Sequence, residues 1–432
     1  MPLLANLPLI QELTGEGAVR VSDYGGSTGS VTAWNAGLNW SPVRSLRFRA
    51  TYARSVRAPN LSNLYATAAT TFLNGLADPC NQAAGVGVSQ TSNISTNPNR
   101  ARNCAAAGVP TTIVNPTTGL STPWTNISTG GIPGINQGNL ALTPEVGNSF
   151  TAGFVFTPEF VPGLVIKADY YNIRVNNVIS GLSGQAIIDR CYDDPTGLDN
   201  IFCAAVFRRS TNDPITNLTF NGQTGRTIDG VQVPAFPVAG NGVSFLNQPY
   251  NFAQLRTRGI DLDTAYTKKF SDDIGINLRV VVSYLMDRQQ FNYIAEPGRF
   301  DRIDGTLGDP KWQGQFTAGG TFGILDVNYN ARYVGKQIVS GLNYETFFPN
   351  QGRPATNPDA RPFVFYDPVV YHNVRVGLNA TDKYRFYFGV DNLSNELPPF
   401  ELAGNENFTS GSTASIYPNT GRFFYAGVEA KF

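Results

Sequence analysis

Histidine is almost missing from this chain: His372 is the only one in 432 residues. That scarcity excludes most imidazole-based triads and metal sites. The four cysteines include no C-x-x-C pair, which argues against a four-ligand zinc site. Lys and Arg number 32 and so do Asp and Glu, so there is no basic excess to suit nucleic acid. No apolar run reaches the roughly 18 residues that a membrane-crossing helix requires. No phosphate-cradling glycine loop follows a strand, and no residue set is assigned to catalysis, to a cofactor or to a metal. The expectation is a protein that is not an enzyme.

What is present is alternation with a period of two. In Thr420 to Phe432 (TGRFFYAGVEAKF) the even positions are Phe424, Ala426, Val428, Ala430 and Phe432, while Tyr425, Gly427, Glu429 and Lys431 are odd. Such a strand has one oily and one wet face. Leu325 to Val334 divides in the same way, into Leu325, Val327, Tyr329, Ala331 and Tyr333 against Asp326, Asn328, Asn330 and Arg332. Arg44 to Ser55 sets Leu46, Phe48, Ala50 and Tyr52 against Arg47, Arg49 and Thr51. A single half-buried strand in a soluble sandwich would alternate too. Twelve segments do so here: 13–23, 31–40, 46–56, 148–157, 164–175, 252–267, 274–290, 311–321, 325–335, 369–379, 384–392 and 420–432. Aromatic residues at 12%, 44 glycines and only 15% charged residues fit the same architecture, an all-β antiparallel transmembrane barrel.

Connection lengths strengthen that reading. Short turns at 41–45, 158–163, 268–273, 322–324 and 380–383 alternate with long segments at 57–147, 176–251, 291–310, 336–368 and 393–419. The loop at 25–30 is the one short connection on the long side. Short turns on one rim and long loops on the other are the pattern of bacterial outer-membrane barrels. Parity then assigns Arg47, Arg49, Lys167, Asp169, Asp261, Asp263, Arg279, Asp326, Arg332, Arg375, Asp391, Glu429 and Lys431 to the wet lumen. On the lipid side each charge would cost roughly 2 to 4 kcal/mol at mid-membrane. Trp34, Trp40, Phe154, Phe156, Trp312 and Phe316 fall outward, with His372 on the outward parity near a membrane rim.

Cys80, Cys104, Cys191 and Cys203 lie in long polar stretches. Three pairings are open; the local one, Cys80 with Cys104 and Cys191 with Cys203, closes the shortest loops and is the one expected. It implies an oxidising compartment. Asp193 and Asp194, and Asp272 and Asp273, read as solvated loop residues. Arg54 and Arg57 suit either an anionic ligand or a structural place at the rim.

Several motifs together resemble the C-terminal barrel of TonB-dependent outer-membrane receptors. They are RSVRAPNLSNLY (54–65), GNLALTPEVGNSFTAGFVFTP (138–158), GLVIKADYYNIRVNNVI (163–179), LRTRGIDLDTAY (255–266), GDPKW (308–312), GVDNLSNELPP (389–399) and the terminal GRFFYAGVEAKF. The resemblance implies a Gram-negative outer-membrane location and a barrel of about 22 strands around a plug. It implies import of a scarce nutrient, a siderophore or an oligosaccharide, energised through TonB. Residues 1–432 correspond to the last twelve strands, with the plug, the TonB box and the N-terminal strands absent. MPLLANLPLI has no basic stretch and no cleavage site, so it is not a secretory signal, and the chain is expected to be a fragment. Phe424 and Phe432 are expected in the signal read by the barrel-assembly machinery. The expected partners are outer-membrane lipid, that machinery, the TonB complex through the missing region, and a small-molecule nutrient, with no nucleic acid. Two other readings are a passive porin-like channel and a secreted soluble glycan-binding β-protein.

Overall fold

The structure is a computed structural model that describes residues 2–26, 28–82, 94–95, 97–114, 118–125, 132–208, 219–220, 223–224, 226–228, 231–233, 243–291, 298, 300–338, 365–398, 416–418 and 420–431. One wall of thirteen strands dominates it, each hydrogen-bonded to its neighbours in the sequence of the wall and all antiparallel. They are β1 (Pro2–Leu7), β2 (Ile10–Asp23), β3 (Ser30–Val43), β4 (Leu46–Arg57), β5 (Glu145–Phe156), β6 (Leu164–Ser180) and β7 (Tyr250–Lys269). The wall continues with β8 (Ile274–Phe291), β9 (Trp312–Phe322), β10 (Leu325–Val334), β11 (Val369–Asn379), β12 (Tyr384–Asp391) and β13 (Phe423–Ala430). Asp301–Arg302 adds a short ladder to β8.

Twelve of these coincide with the alternating segments of the sequence; β1 is an addition. Its residues are apolar almost throughout, so period two gives no signal. A register shift between Pro2 and Leu4 and left-handed backbone at Asn6 and Leu9 make it irregular. The turn after β5 depends on Gly163, whose φ is +93° and whose position leaves no room for a Cβ beside the Thr267 carbonyl. Only glycine meets both demands.

Register carries the two faces across the wall. One row runs Phe48, Phe154, Ala168, Leu262 and Val282 through β4 to β8. The adjacent row runs Arg49, Gly153, Asp169, Asp261 and Ser283. A shift of one residue would exchange these faces, so the sorting fixes the register. On the polar face of β12 and β13, Tyr387 lies across Gly427 and Tyr425 across Gly389, and a Cβ at either glycine would collide with the ring. Each ring thus covers a position that has no side chain of its own.

The longest strands exceed what a bilayer requires. β6, β7 and β8 have 17, 20 and 18 residues, against the roughly 9 to 11 that cross hydrocarbon. Their outward faces record where the lipid ends: Tyr170 is followed outward by Asn172 and Arg174 on β6, and Ile260 by Arg258 and Arg256 on β7. Val280 and Val281 are neighbours on β8 facing opposite sides. Val280→Arg should reduce the folded fraction on insertion into vesicles by about 2 to 4 kcal/mol, while Val281→Arg costs about 1 or less. Equal losses in the two variants would contradict the assignment of faces.

Candidate functional site

The candidate site is the mouth formed where loops 58–144 and 181–249 meet. Helix α1 (Leu61–Tyr65) starts at Asn60, whose Oδ1 accepts from the Asn63 N–H at 2.7 Å while the Asn63 side chain accepts from the Asn60 N–H at 3.1 Å. Helix α3 (Gly184–Asp193) is capped by Ser183 Oγ, which accepts from the Ala186 N–H at 3.2 Å. These bonds, reciprocal at Asn60 and Asn63 and single at Ser183, satisfy amides that a helix start leaves unpaired. α3 buries Ile187, Ile188, Cys191 and Tyr192, the stripe that helical spacing places on one face.

The two loops then fuse into one body. Ala69–Leu73, Ile132–Asn136, Val243–Asn247 and Val206–Arg208 form a four-stranded sheet whose central pair, 132–136 with 243–247, is parallel and joins one loop to the other. Its core includes Trp124, Ile132, Phe202, Val206, Phe245 and Leu246. The disulfides are Cys80–Cys104, with Cα atoms 5.7 Å apart, and Cys191–Cys203, at 4.5 Å. Each stays within its own loop and limits that loop's freedom by on the order of 3 kcal/mol. Beside that shared core, polar contacts also join the loops. The Arg100 guanidinium of α2 (Arg100–Ala106), 6% exposed, pairs with Asp189 at 3.2 Å and with both oxygens of Asp193. Gln185 and Ala77 exchange two amide hydrogen bonds of 2.9 and 2.8 Å. Asn103 Nδ2 donates to the Tyr192 and Asp194 carbonyls.

Asparagines join this body to the upper end of the wall, and one acid ties the strand ends there to each other. Asn139 donates to the Pro249 carbonyl, and Asn251 donates to those of Thr143 and Asn177. Glu145 accepts from Arg57 and from the Ile179 N–H. Facing outward from the body are α1 residues Leu61 and Tyr65 and the strand residue Phe72, all exposed.

A second buried group is formed by described residues of 300–311, 334–338, 366–371 and 416–417. Asp304 is fully buried, accepts from the Arg288 N–H and pairs with Arg302 and Lys311. Burial alone would raise its carboxyl, but Arg302, the Arg288 amide and Lys311 together outweigh it and hold the group below its ordinary value. Tyr417 packs on Val334, Val369 and Tyr371 and accepts a hydrogen bond from Gln337. Burial, with nearby Tyr371, pushes its phenol up to about 12.

The lumen-parity charges fall into two groups rather than one site. In the first, Arg49 donates to Asp169 at 2.8 Å, Lys167 and Arg279 both pair with Asp263, and Arg47 lies 3.9 Å from Glu12. In the second, Arg385 reaches Asp326 at 3.4 Å and Glu429 at 3.6 Å, and Arg375 reaches Glu429 at 3.7 Å. Arg332 donates to the Ile416 carbonyl at 2.8 Å. Among the described residues, Asp261 and Asp391 make no ion pair. Lys431 lies beyond β13, and Phe432 lies outside the described residues. Phe424 is on the outward face of β13, stacked on Phe388. His372 is also outward, with its Nδ1 2.7 Å from the Tyr329 hydroxyl.

One sequence expectation changes: Asp193 is not a solvated loop residue, since it holds Arg100 across 93 positions of sequence. Of the two roles open to Arg57, the structure shows the pairing at the rim, through Glu145. Local spacing carries no signal for either pair, because both partners belong to different loops or strands.

With this geometry in view, residues 3–393 match the family described as TonB dependent receptor-like, beta-barrel. The chain belongs to that family. It is a protein of the Gram-negative outer membrane, with short periplasmic turns and long extracellular loops. A ferric enterobactin receptor from Pseudomonas aeruginosa, crystallised as a mutant with enterobactin, superposes with a TM-score of 0.53 at 14% identity, over 98% of this chain and 43% of its own. The siderophore receptor PirA from Acinetobacter baumannii gives 0.52 at 13%, over 97% and 43%. No curated protein matches the sequence. The chain therefore spans less than half the length of the solved structures it resembles.

Reducing agent should loosen 58–144 and 181–249, seen as faster proteolysis there with unchanged strand content by circular dichroism. Unaltered cleavage would count against the disulfides as staples. The Asp304 contribution should be complete above the ordinary carboxylate pKa of about 3.9 and fade only as pH falls below it. Protease resistance of 300–311 should thus hold from about pH 8 to 5 and drop below about 4, whereas Asp304→Asn should lose it already at neutral pH.

Proposed function

We propose that the protein is an outer-membrane receptor for TonB-energised uptake of a scarce nutrient of the ferric-siderophore class, with residues 1–432 forming the C-terminal part of its barrel. The observation that carries this reading is the loop body: two of the longest connections share one core, are stapled, and are seated on a rigid wall. Binding residues are commonly placed on loops held by such a scaffold. Exposed Tyr65 and Phe72 offer flat apolar faces that suit the aromatic rings of a chelator. The siderophore class is preferred over oligosaccharide because the two similar structures above are siderophore receptors by name. Family membership supports coupling to TonB, and the coverage of 43% of the enterobactin receptor supports a longer polypeptide that brings the plug and the remaining strands. β1 and β13 each have one partner in the described wall, and such edges need a partner in lipid.

Two measurements test this. An antibody against 420–431 should detect, in outer-membrane fractions, a species near twice the 46.8 kDa of this chain; a stable species at 46.8 kDa would favour a self-contained channel. Cells carrying the receptor should accumulate iron-55 from a ferric siderophore only with TonB present. Arg100→Ala, which removes the buried guanidinium that joins Asp189 and Asp193 across the two loops, should lower that uptake by on the order of tenfold while the barrel still reaches the membrane. Uptake independent of TonB, or of maltodextrin instead of iron, would overturn the reading.

A further inference from the structure

The outward face of the wall carries arginines where an outer-membrane barrel would be expected to turn plainly polar. Arg54 on β4, Arg174 on β6 and Arg256 on β7 share one register row, joined through Asn148 on β5. Arg174 and Arg256 stand directly opposite each other, an arrangement of like charges that destabilises a strand pair unless an anion lies between them. Arg258 is in the next row, paired with Asp287, the carboxylate of this patch. Among the described residues Arg54 and Arg174 have no acidic partner, and Arg256 Nε is shielded from solvent without a hydrogen-bond partner.

Their height decides what the anion is. The row lies one or two outward positions beyond Tyr52, Phe150, Tyr170 and Ile260, at the long-loop ends of the strands. Aromatic side chains mark the interface of a barrel with its bilayer, so the arginines stand at the headgroups of the outer leaflet. Lower on the same face, an apolar hollow of about 540 Å³ opens over Gly314 between Trp312 and Phe316. A soluble anion would use the arginines alone, whereas a lipid would use both.

We propose that this row is a binding site for the phosphate groups of an outer-leaflet glycolipid, whose acyl chains lie along the aromatic face beneath. Guanidinium groups suit this task because they grip phosphate with two parallel hydrogen bonds. The site is separate from the charges of the lumen, since it lies on the opposite face of the sheet.

The test uses the receptor extracted from the outer membrane in detergent. Native mass spectrometry and thermal unfolding are recorded with a bis-phosphorylated disaccharide lipid, with the same lipid lacking phosphates, and with inorganic phosphate. The bis-phosphorylated lipid should bind and raise the unfolding temperature, and its affinity should drop at least about tenfold in Arg54→Gln/Arg174→Gln/Arg256→Gln. The matching Arg→Lys triple variant should keep more of the affinity than the Gln variant. Binding to the unaltered receptor should also weaken as salt rises from about 0.05 to 0.5 M, a readout that needs no variant to fold. Equal binding of the dephosphorylated lipid, salt-independent binding, or unchanged affinity in the folded Gln variant would overturn the proposal. So would inorganic phosphate giving the same stabilisation as the lipid, since it would mark a site for soluble anions.

Discussion

Every backbone N–H and C=O in a bilayer must find its partner within the protein, and this demand shapes the molecule. Thirteen strands answer it by pairing each with its neighbour in the wall, so hairpins suffice and no crossover is needed. Antiparallel pairing with a period of two then leaves only one freedom, which side chains face lipid. Rows such as Phe48, Phe154, Ala168 and Leu262 against Arg49, Gly153, Asp169 and Asp261 show that freedom used up completely. The wall is rigid because backbone and side chains demand the same register.

This explains what the sequence discloses. In the strands, lipid penalises each misplaced charge, so the pattern in 325–334 or 46–52 is written residue by residue and can be read without a structure. The family motifs and the alternation of loop lengths were legible for the same reason. The loop body obeys no such local rule. Arg100 meets Asp189 and Asp193 from about ninety residues away, and Ile132–Asn136 pairs in parallel with Val243–Asn247 across a separation greater still. Low charge, scattered apolar residues and the cysteines hint at folded loops without saying which residues meet. The irregular β1 escaped notice because a uniformly apolar segment has no alternation to detect.

The bonds within and between the loops differ in kind. Disulfides act inside each loop and restrict its unfolded chain whether or not the other loop is present. Arg100, Gln185 and Asn103 act between loops and exist only once the two bodies meet. A buried ion pair adds little net stability compared with apolar packing, but it discriminates strongly against arrangements that leave one charge alone. The covalent links thus set the shape of each loop, and the polar links set how the shapes join. The parallel strand pair reinforces this, since it forms in a single register.

The same distinction bears on where a ligand is recognised. The charges of the lumen face are largely engaged with one another: Arg49 with Asp169, Lys167 and Arg279 with Asp263, Arg385 with Asp326 and Glu429. A solute entering among them would have to compete with pairs already satisfied, and exposed pairs of this kind exchange partners at little cost. Such a face keeps the lumen wet without selecting one solute. Selection needs groups that lack partners on a surface held in fixed shape, and the exposed aromatics of the stapled body meet that description better than the paired charges below. Under the proposed uptake function, wall and mouth would divide the work, with recognition left to the loops and the paired charges keeping the inner face of the wall polar.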